Sequence, residues 1–63
     1  MDPARAALSS ISTTLDELVE RIEGAAKDAD LHGAEGLAAD LFEVERSLRR
    51  AQRRLQRVVR EGS

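Results

Sequence analysis

The residues of this sequence best suited to binding chemistry are seven arginines near its C-terminal end, with no acidic residue among them. They are Arg46, Arg49, Arg50, Arg53, Arg54, Arg57 and Arg60. A guanidinium group can bind two phosphate oxygens at once, so this set predicts an anion-binding or nucleic-acid-binding face. The alternatives are a solvated helix surface and a surface neutralised by the acids of another chain. Phe42 is the only aromatic residue, so stacking of successive bases on rings is not expected.

A small-molecule motif overlaps the start of this arginine set. Glu43, Ser47 and Arg50 have the spacing Glu-x-x-x-Ser-x-x-Arg, which resembles the first three positions of the cyclic-di-GMP signature in actinobacterial anti-sigma helical hairpins. The resemblance implies a cyclic-di-GMP-responsive hairpin as a lesser alternative. The family pattern continues with glutamine and aspartate where this chain has Arg54 and Val58, and the N-terminal half contains no second copy. In length and plan the chain also resembles small plasmid-encoded RNA-binding hairpins that dimerise into four-helix bundles, but no residue of their RNA-binding face is carried over.

Residues that could support catalysis or metal binding are sparse. The chain has no cysteine and a single histidine, His32. Carboxylates occur at helical spacings, but with one histidine they do not form the paired Glu-x-x-His pattern of a di-metal helical bundle. The glycines do not follow a strand, so they predict no phosphate-binding loop. We therefore expect no enzyme activity, no cofactor and no catalytic or metal-binding residue.

The elements that must position the arginines are indicated by apolar residues spaced alternately three and four positions apart. In the N-terminal half these are Leu8, Ile11, Leu15, Leu18, Ile22, Ala25 and Ala29. In the C-terminal half they are Ala34, Leu37, Leu41, Val44, Leu48, Ala51, Leu55 and Val58. This spacing predicts two helices, each with an apolar stripe that another helix must cover. The intervening Asp28–Gly33 segment is short and interrupts the repeat, so the helices are expected to be antiparallel neighbours.

The fold prediction is therefore an all-α, coiled-coil-like antiparallel two-helix hairpin that forms one unit over residues 1–63. We expect helices at about residues 3–28 and 34–60, a loop at about 29–33 and a hinge close to Leu31. A chain of 63 residues without disulfides buries too small a hydrophobic core to give a stable monomer readily. Association with another chain is therefore expected.

Charge is distributed unevenly along the chain. Residues 16–45 contain ten acidic and two basic residues, a net charge of −8, whereas the remaining residues have eight basic and two acidic residues, a net charge of +6. This pattern favours a pair of hairpins with the acidic half of each beside the basic half of the other. No apolar run approaches the roughly 18 residues needed to span a bilayer, so a cytoplasmic location away from membranes is expected.

Apolar residues beside the two stripes suggest where a second hairpin would bind. The predicted oligomer interface consists of Val19, Ala26, Ala38, Phe42 and Val59. Phe42 would anchor a homodimeric four-helix bundle. The favoured function is a non-catalytic interaction module, acting as a small regulator or adaptor that associates with itself or with a helical partner protein. The first alternative is a nucleic-acid-binding helical-bundle dimer that uses the arginine face.

Overall fold

The computed structural model describes residues 3–61 and is a two-helix hairpin. Helix α1 spans Pro3–Leu31 and helix α2 spans Glu35–Glu61. The two helices pack against each other along their length, and the hairpin measures 48 × 15 × 10 Å. The predicted all-α hairpin is confirmed.

The turn between the helices is closed by a glycine after the end of α1. The Ala34 N–H donates to the Ala29 carbonyl at 2.9 Å, and the Gly33 N–H donates to the Asp30 carbonyl at 3.1 Å. These two bonds form a Schellman motif, whose first residue beyond the helix cap adopts a left-handed conformation. Gly33 fills that position with φ of 79°, where a side chain would be strained. Helix α1 therefore continues to Leu31, about one turn beyond its predicted end.

One heptad repeat on each helix faces the other helix, and all its members are buried or half-buried. We call these residues the inner seam. On α1 they are Arg5, Leu8, Ser12, Leu15, Val19, Ile22, Ala26 and Ala29. On α2 they are Ala38, Leu41, Glu45, Leu48, Gln52, Leu55 and Val59. The most deeply buried members are Val19, Ala26, Ala29 and Ala38, at most 8% exposed, three of them small residues near the turn that let the helices approach closely.

Two hydrogen bonds between the helices fix their register. Arg49 Nη2 donates to Glu23 Oε2 at 2.5 Å, and Gln52 Nε2 donates to Asp16 Oδ1. A hinge at Leu31 would instead place Glu23 and Asp16 opposite residues of α2 that lie nearer the turn than Arg49 and Gln52 do. The difference follows from the longer α1, because moving the turn toward Gly33 shifts every position of α2 relative to α1.

The close contact near the turn can be tested with two neighbouring alanines. Ala38 is 3% exposed, whereas Ala39 is exposed. We expect Ala38→Leu to lower the free energy of unfolding by about 1–3 kcal/mol because the added side chain has no room between the helices. Ala39→Leu should change it by less than about 0.5 kcal/mol. Urea unfolding followed by circular dichroism, at equal chain concentration, measures both, and equal effects would contradict the inner seam.

Candidate interaction surfaces

A second heptad repeat on each helix remains exposed beside the inner seam. We call it the outer stripe, and it contains only apolar residues. Its members are Ala4, Ile11, Leu18 and Ala25 on α1, and Leu37, Val44, Ala51 and Val58 on α2. The large side chains of this stripe are between 43% and 56% exposed. The outer stripe alone therefore places five large hydrophobic side chains on the surface of the isolated hairpin.

The two halves of the outer stripe lie on one face of the hairpin. On each helix every residue of the stripe comes one position before a residue of the inner seam. Viewed from the N-terminus of either helix, the stripe is therefore rotated from the seam in the same direction. Antiparallel helices related in this way present those sides to the same face. The exposed apolar side chains of both helices therefore lie on one side of the hairpin, which we call the apolar face. A contiguous exposed apolar surface typically marks an interaction site.

The predicted oligomer-interface residues occupy different places from those expected. Val19, Ala26 and Ala38 are 1%, 0% and 3% exposed within one chain, because they form the core between α1 and α2. Val59 is a half-buried member of the inner seam. Phe42 is 38% exposed, but it borders a groove with Glu45, Arg46, Arg49 and Arg53 rather than apolar neighbours. The single hairpin thus already covers three of the five residues within one chain.

The physical reason is that the inner seam and the predicted stripes have residues in common. Leu15, Ile22 and Leu48 are three of those that belong to both repeats. They can pack inward together with either of two neighbouring rows. In the hairpin they pack with the row containing Val19 and Ala26, which leaves the more apolar row outside.

The face opposite the apolar face is polar and is organised by Glu23. Its carboxylate accepts a hydrogen bond from Lys27 at 2.9 Å and one from Arg49 at 2.5 Å. Arg49 also donates to Glu45 at 2.9 Å, so two acids from different helices share one guanidinium. The hydrogen bond from Lys27 and that from Arg49 hold the pKa of Glu23 below its ordinary value of 4.5. Hydrogen bonding to Glu45 and Glu23 raises the pKa of Arg49.

The arginines divide into paired and unpaired groups. Arg46 contacts Glu43 at 2.9 Å, and Arg49 contacts Glu23 and Glu45. The other five have no ion-pair partner within residues 3–61. These are Arg50, Arg53, Arg54, Arg57 and Arg60, and all five are exposed. Four of them line one shallow groove along the outer side of α2, which Val58 and Glu61 complete.

The structure places the cyclic-di-GMP-like residues on the exposed surface of α2. Glu43 pairs with Arg46, and neither Ser47 nor Arg50 has a side-chain hydrogen bond within the described part of the chain. No group of three or more His, Cys, Asp or Glu residues that could hold a metal occurs among residues 3–61. In the same residues neither helix is long and apolar enough to cross a membrane.

Comparison with family models, curated proteins and solved structures found no match to this chain.

The polar cluster was not anticipated from the sequence, although a signal for it is present. Glu45 and Gln52 continue the three–four spacing of Ala38, Leu41 and Leu48, which makes them members of a competing heptad. Polar residues in a seam require partners, since a buried polar group without a hydrogen bond is costly. Arg49 and Asp16 are those partners in the hairpin.

The role of Glu23 predicts a dependence of stability on pH. Because its pKa is lowered in the folded chain, its ionised form stabilises the hairpin fully above about pH 4.5, and this contribution disappears as the pH falls through the lower folded pKa. We expect Glu23→Gln to be less stable than the unmodified chain near neutral pH, with the difference vanishing in strong acid. Thermal unfolding over a pH series measures it. Glu17→Gln, which removes an exposed acid of α1, is the control and should change stability less. If the effect of Glu23→Gln did not depend on pH, the stabilising role of ionised Glu23 would be contradicted.

Proposed function

We infer that this chain is a non-catalytic helical-hairpin interaction module that self-associates through its apolar face to form a four-helix bundle. The observation that supports this most strongly is the outer stripe, which is entirely apolar, continuous along both helices and exposed in the single chain. A module of this kind acts by holding helices together, as a small regulator or adaptor does.

The size of the apolar face suits an interface between two copies. A hairpin 48 Å long and 15 Å wide offers a face on the order of 700 Å², close to the roughly 800 Å² per partner of a stable protein–protein interface. The isolated hairpin has only four buried hydrophobic residues, among residues 3–61, and three of these are alanines. Burying the outer stripe against a second copy would supply the larger core that a chain of this length needs.

Shape also favours a second copy. Two identical two-helix faces stack as four helices, and the outer stripe presents one exposed apolar residue per heptad on each helix toward the second copy. A twofold interface uses the same surface on both chains, and the outer stripe supplies one uniformly apolar surface for that purpose.

The charge distribution indicates how the two copies are oriented. Residues 16–45, which surround the turn, have a net charge of −8, and the terminal residues have a net charge of +6. Turns at the same end would place the two acidic regions side by side, whereas turns at opposite ends place acidic beside basic. In the second arrangement α2 lies along α2 of the other copy. Arg54, six residues beyond the middle of α2, then comes level with the region of Asp40 and Glu43 of the second copy.

Substitutions on the two faces test which of them associates. Leu18→Asp and Val44→Asp each place a charge at a position 43% exposed in the single hairpin but covered in the proposed dimer. We expect the unmodified chain to have a mass about twice 6.9 kDa by sedimentation equilibrium, and each variant to shift toward 6.9 kDa at the same concentration.

Phe42→Asp is the matched control, because Phe42 has a similar exposure of 38% but lies on the polar side of the hairpin. This variant should keep the dimeric mass. A monomeric unmodified chain would contradict self-association, and loss of the dimer in Phe42→Asp alone would assign association to the opposite face.

The orientation of the copies is measured by a single spin label at His32→Cys, an exposed position in the turn. With the turns at opposite ends the two labels should be about 40 Å apart, the length of a 27-residue helix. With the turns at the same end they should be closer than about 20 Å. Pulsed electron–electron double resonance, which measures the distance between two spin labels, distinguishes these arrangements. Dilution with unlabelled chain, which should abolish the distance signal, is the control.

A further inference from the structure

The unpaired arginines form a charged ridge, and Arg54 is the one member of it that faces acids of the second copy in the proposed self-association. Arg50, Arg53, Arg57 and Arg60 follow one another at three-residue and four-residue intervals, and Arg54 lies beside them. From Arg50 to Arg60 the ridge extends for about 15 Å along α2. All members of the ridge are exposed.

The nearby acids do not neutralise this ridge. Glu43 and Glu45 are already hydrogen-bonded to Arg46 and Arg49, which lie at the turn-proximal end of the arginine run. Glu61 lines the same groove as the ridge and offsets one charge. The remaining acids of the described chain lie on α1 or close to the turn. Five guanidinium groups therefore remain available against one neighbouring carboxylate.

The part of the ridge that faces away from α1 also remains open when the apolar face, which includes Val58 beside the ridge, is covered. Arg53 and Arg57 lie on the side of α2 opposite Leu48 and Leu55, which pack toward α1. A second hairpin bound to the apolar face approaches a different side of the helix. Binding to the ridge and association through the apolar face can thus occur together, and each can be tested without the other.

We propose that this ridge binds the phosphate backbone of duplex DNA without reading base sequence. Guanidinium groups bind phosphate oxygens with two hydrogen bonds in one plane, and binding is strengthened by release of the counterions condensed on the duplex. The ridge is one helix wide and carries arginines along two adjacent rows. B-DNA has a major groove about 12 Å wide that admits a helix, whereas the major groove of duplex RNA is too narrow for side chains to enter.

Single-stranded nucleic acid fits this surface less well. Recognition of single strands depends on aromatic rings that stack successive bases. Phe42 is the only aromatic residue of the chain and lies at the turn-proximal end of α2, next to Arg46 and Arg49. The rest of the ridge has no ring, so the contacts it offers are to phosphates alone.

The salt dependence of binding tests the proposal. Fluorescence anisotropy of a labelled duplex of about 20 base pairs is measured with the full chain over a range of sodium chloride concentrations. Up to five phosphate contacts per hairpin give a slope of log affinity against log salt of about −4 to −5 for each bound hairpin. Arg53→Gln combined with Arg57→Gln should reduce the magnitude of that slope by about two and weaken low-salt binding at least tenfold.

The control is Arg21→Gln combined with Lys27→Gln, which changes the net charge equally but removes exposed cations from α1. It should leave the slope unchanged and weaken binding less than threefold. Absence of binding to duplex DNA at low salt would overturn the proposal, as would equal losses in the two double variants. Equal or tighter binding to duplex RNA or single-stranded DNA of the same length would overturn the assignment to duplex DNA. None of these results alters the mass measurement that tests self-association.

Discussion

The hairpin depends on a geometric constraint that arises because each helix has two adjacent heptad repeats. The inner seam contains apolar residues such as Leu15, Ile22 and Leu48, which could pack equally well with the neighbouring row that forms the outer stripe. Two helices can cover only one repeat, so a hairpin must leave the other in solvent. Here the inner seam contains Ser12, Glu45 and Gln52, while the repeat left outside contains only apolar residues. Apolar residues in solvent and polar residues between helices are both unfavourable for an isolated hairpin. Covering the outer stripe with a second chain would remove the first of these costs.

The same constraint gives the hairpin two chemically different faces. On one face the polar members of the inner seam meet Asp16, Glu23 and Arg49, and their hydrogen bonds hold the helices in one register. Such a polar contact adds little free energy in an exposed setting, but it discriminates between registers that apolar contacts alone would allow. On the other face the outer stripe is apolar throughout, so it offers no hydrogen bond that could specify a register. One face thus specifies how the chain folds, and the other is suited to bind.

Sequence reasoning predicted the hairpin because both stretches keep a three–four apolar repeat and a single glycine-containing segment interrupts them. The predicted end of α1 is too early, because Gly33 closes α1 in a Schellman motif that lets the helix continue to Leu31. The choice of inner seam was not predictable from apolar spacing alone, since the shared leucines fit both rows. The observed row is favoured by small alanines near the turn, which let the helices approach closely, and by the hydrogen bonds that Glu45 and Gln52 make. Both effects depend on how the two helices meet, so they cannot be read from the apolar spacing of either helix alone.

Val19 and Ala38 are buried within one chain, and in the bundle that we propose Leu18 and Val44 pack between chains. Isotope-filtered nuclear Overhauser spectroscopy on an equimolar mixture of ¹³C-labelled and unlabelled chains detects only contacts between different chains. The account predicts such cross-peaks for the methyl groups of Leu18 and Val44, and none for the methyl groups of Val19 and Ala38. Intermolecular cross-peaks at Val19 and Ala38, with none at Leu18 or Val44, would contradict it.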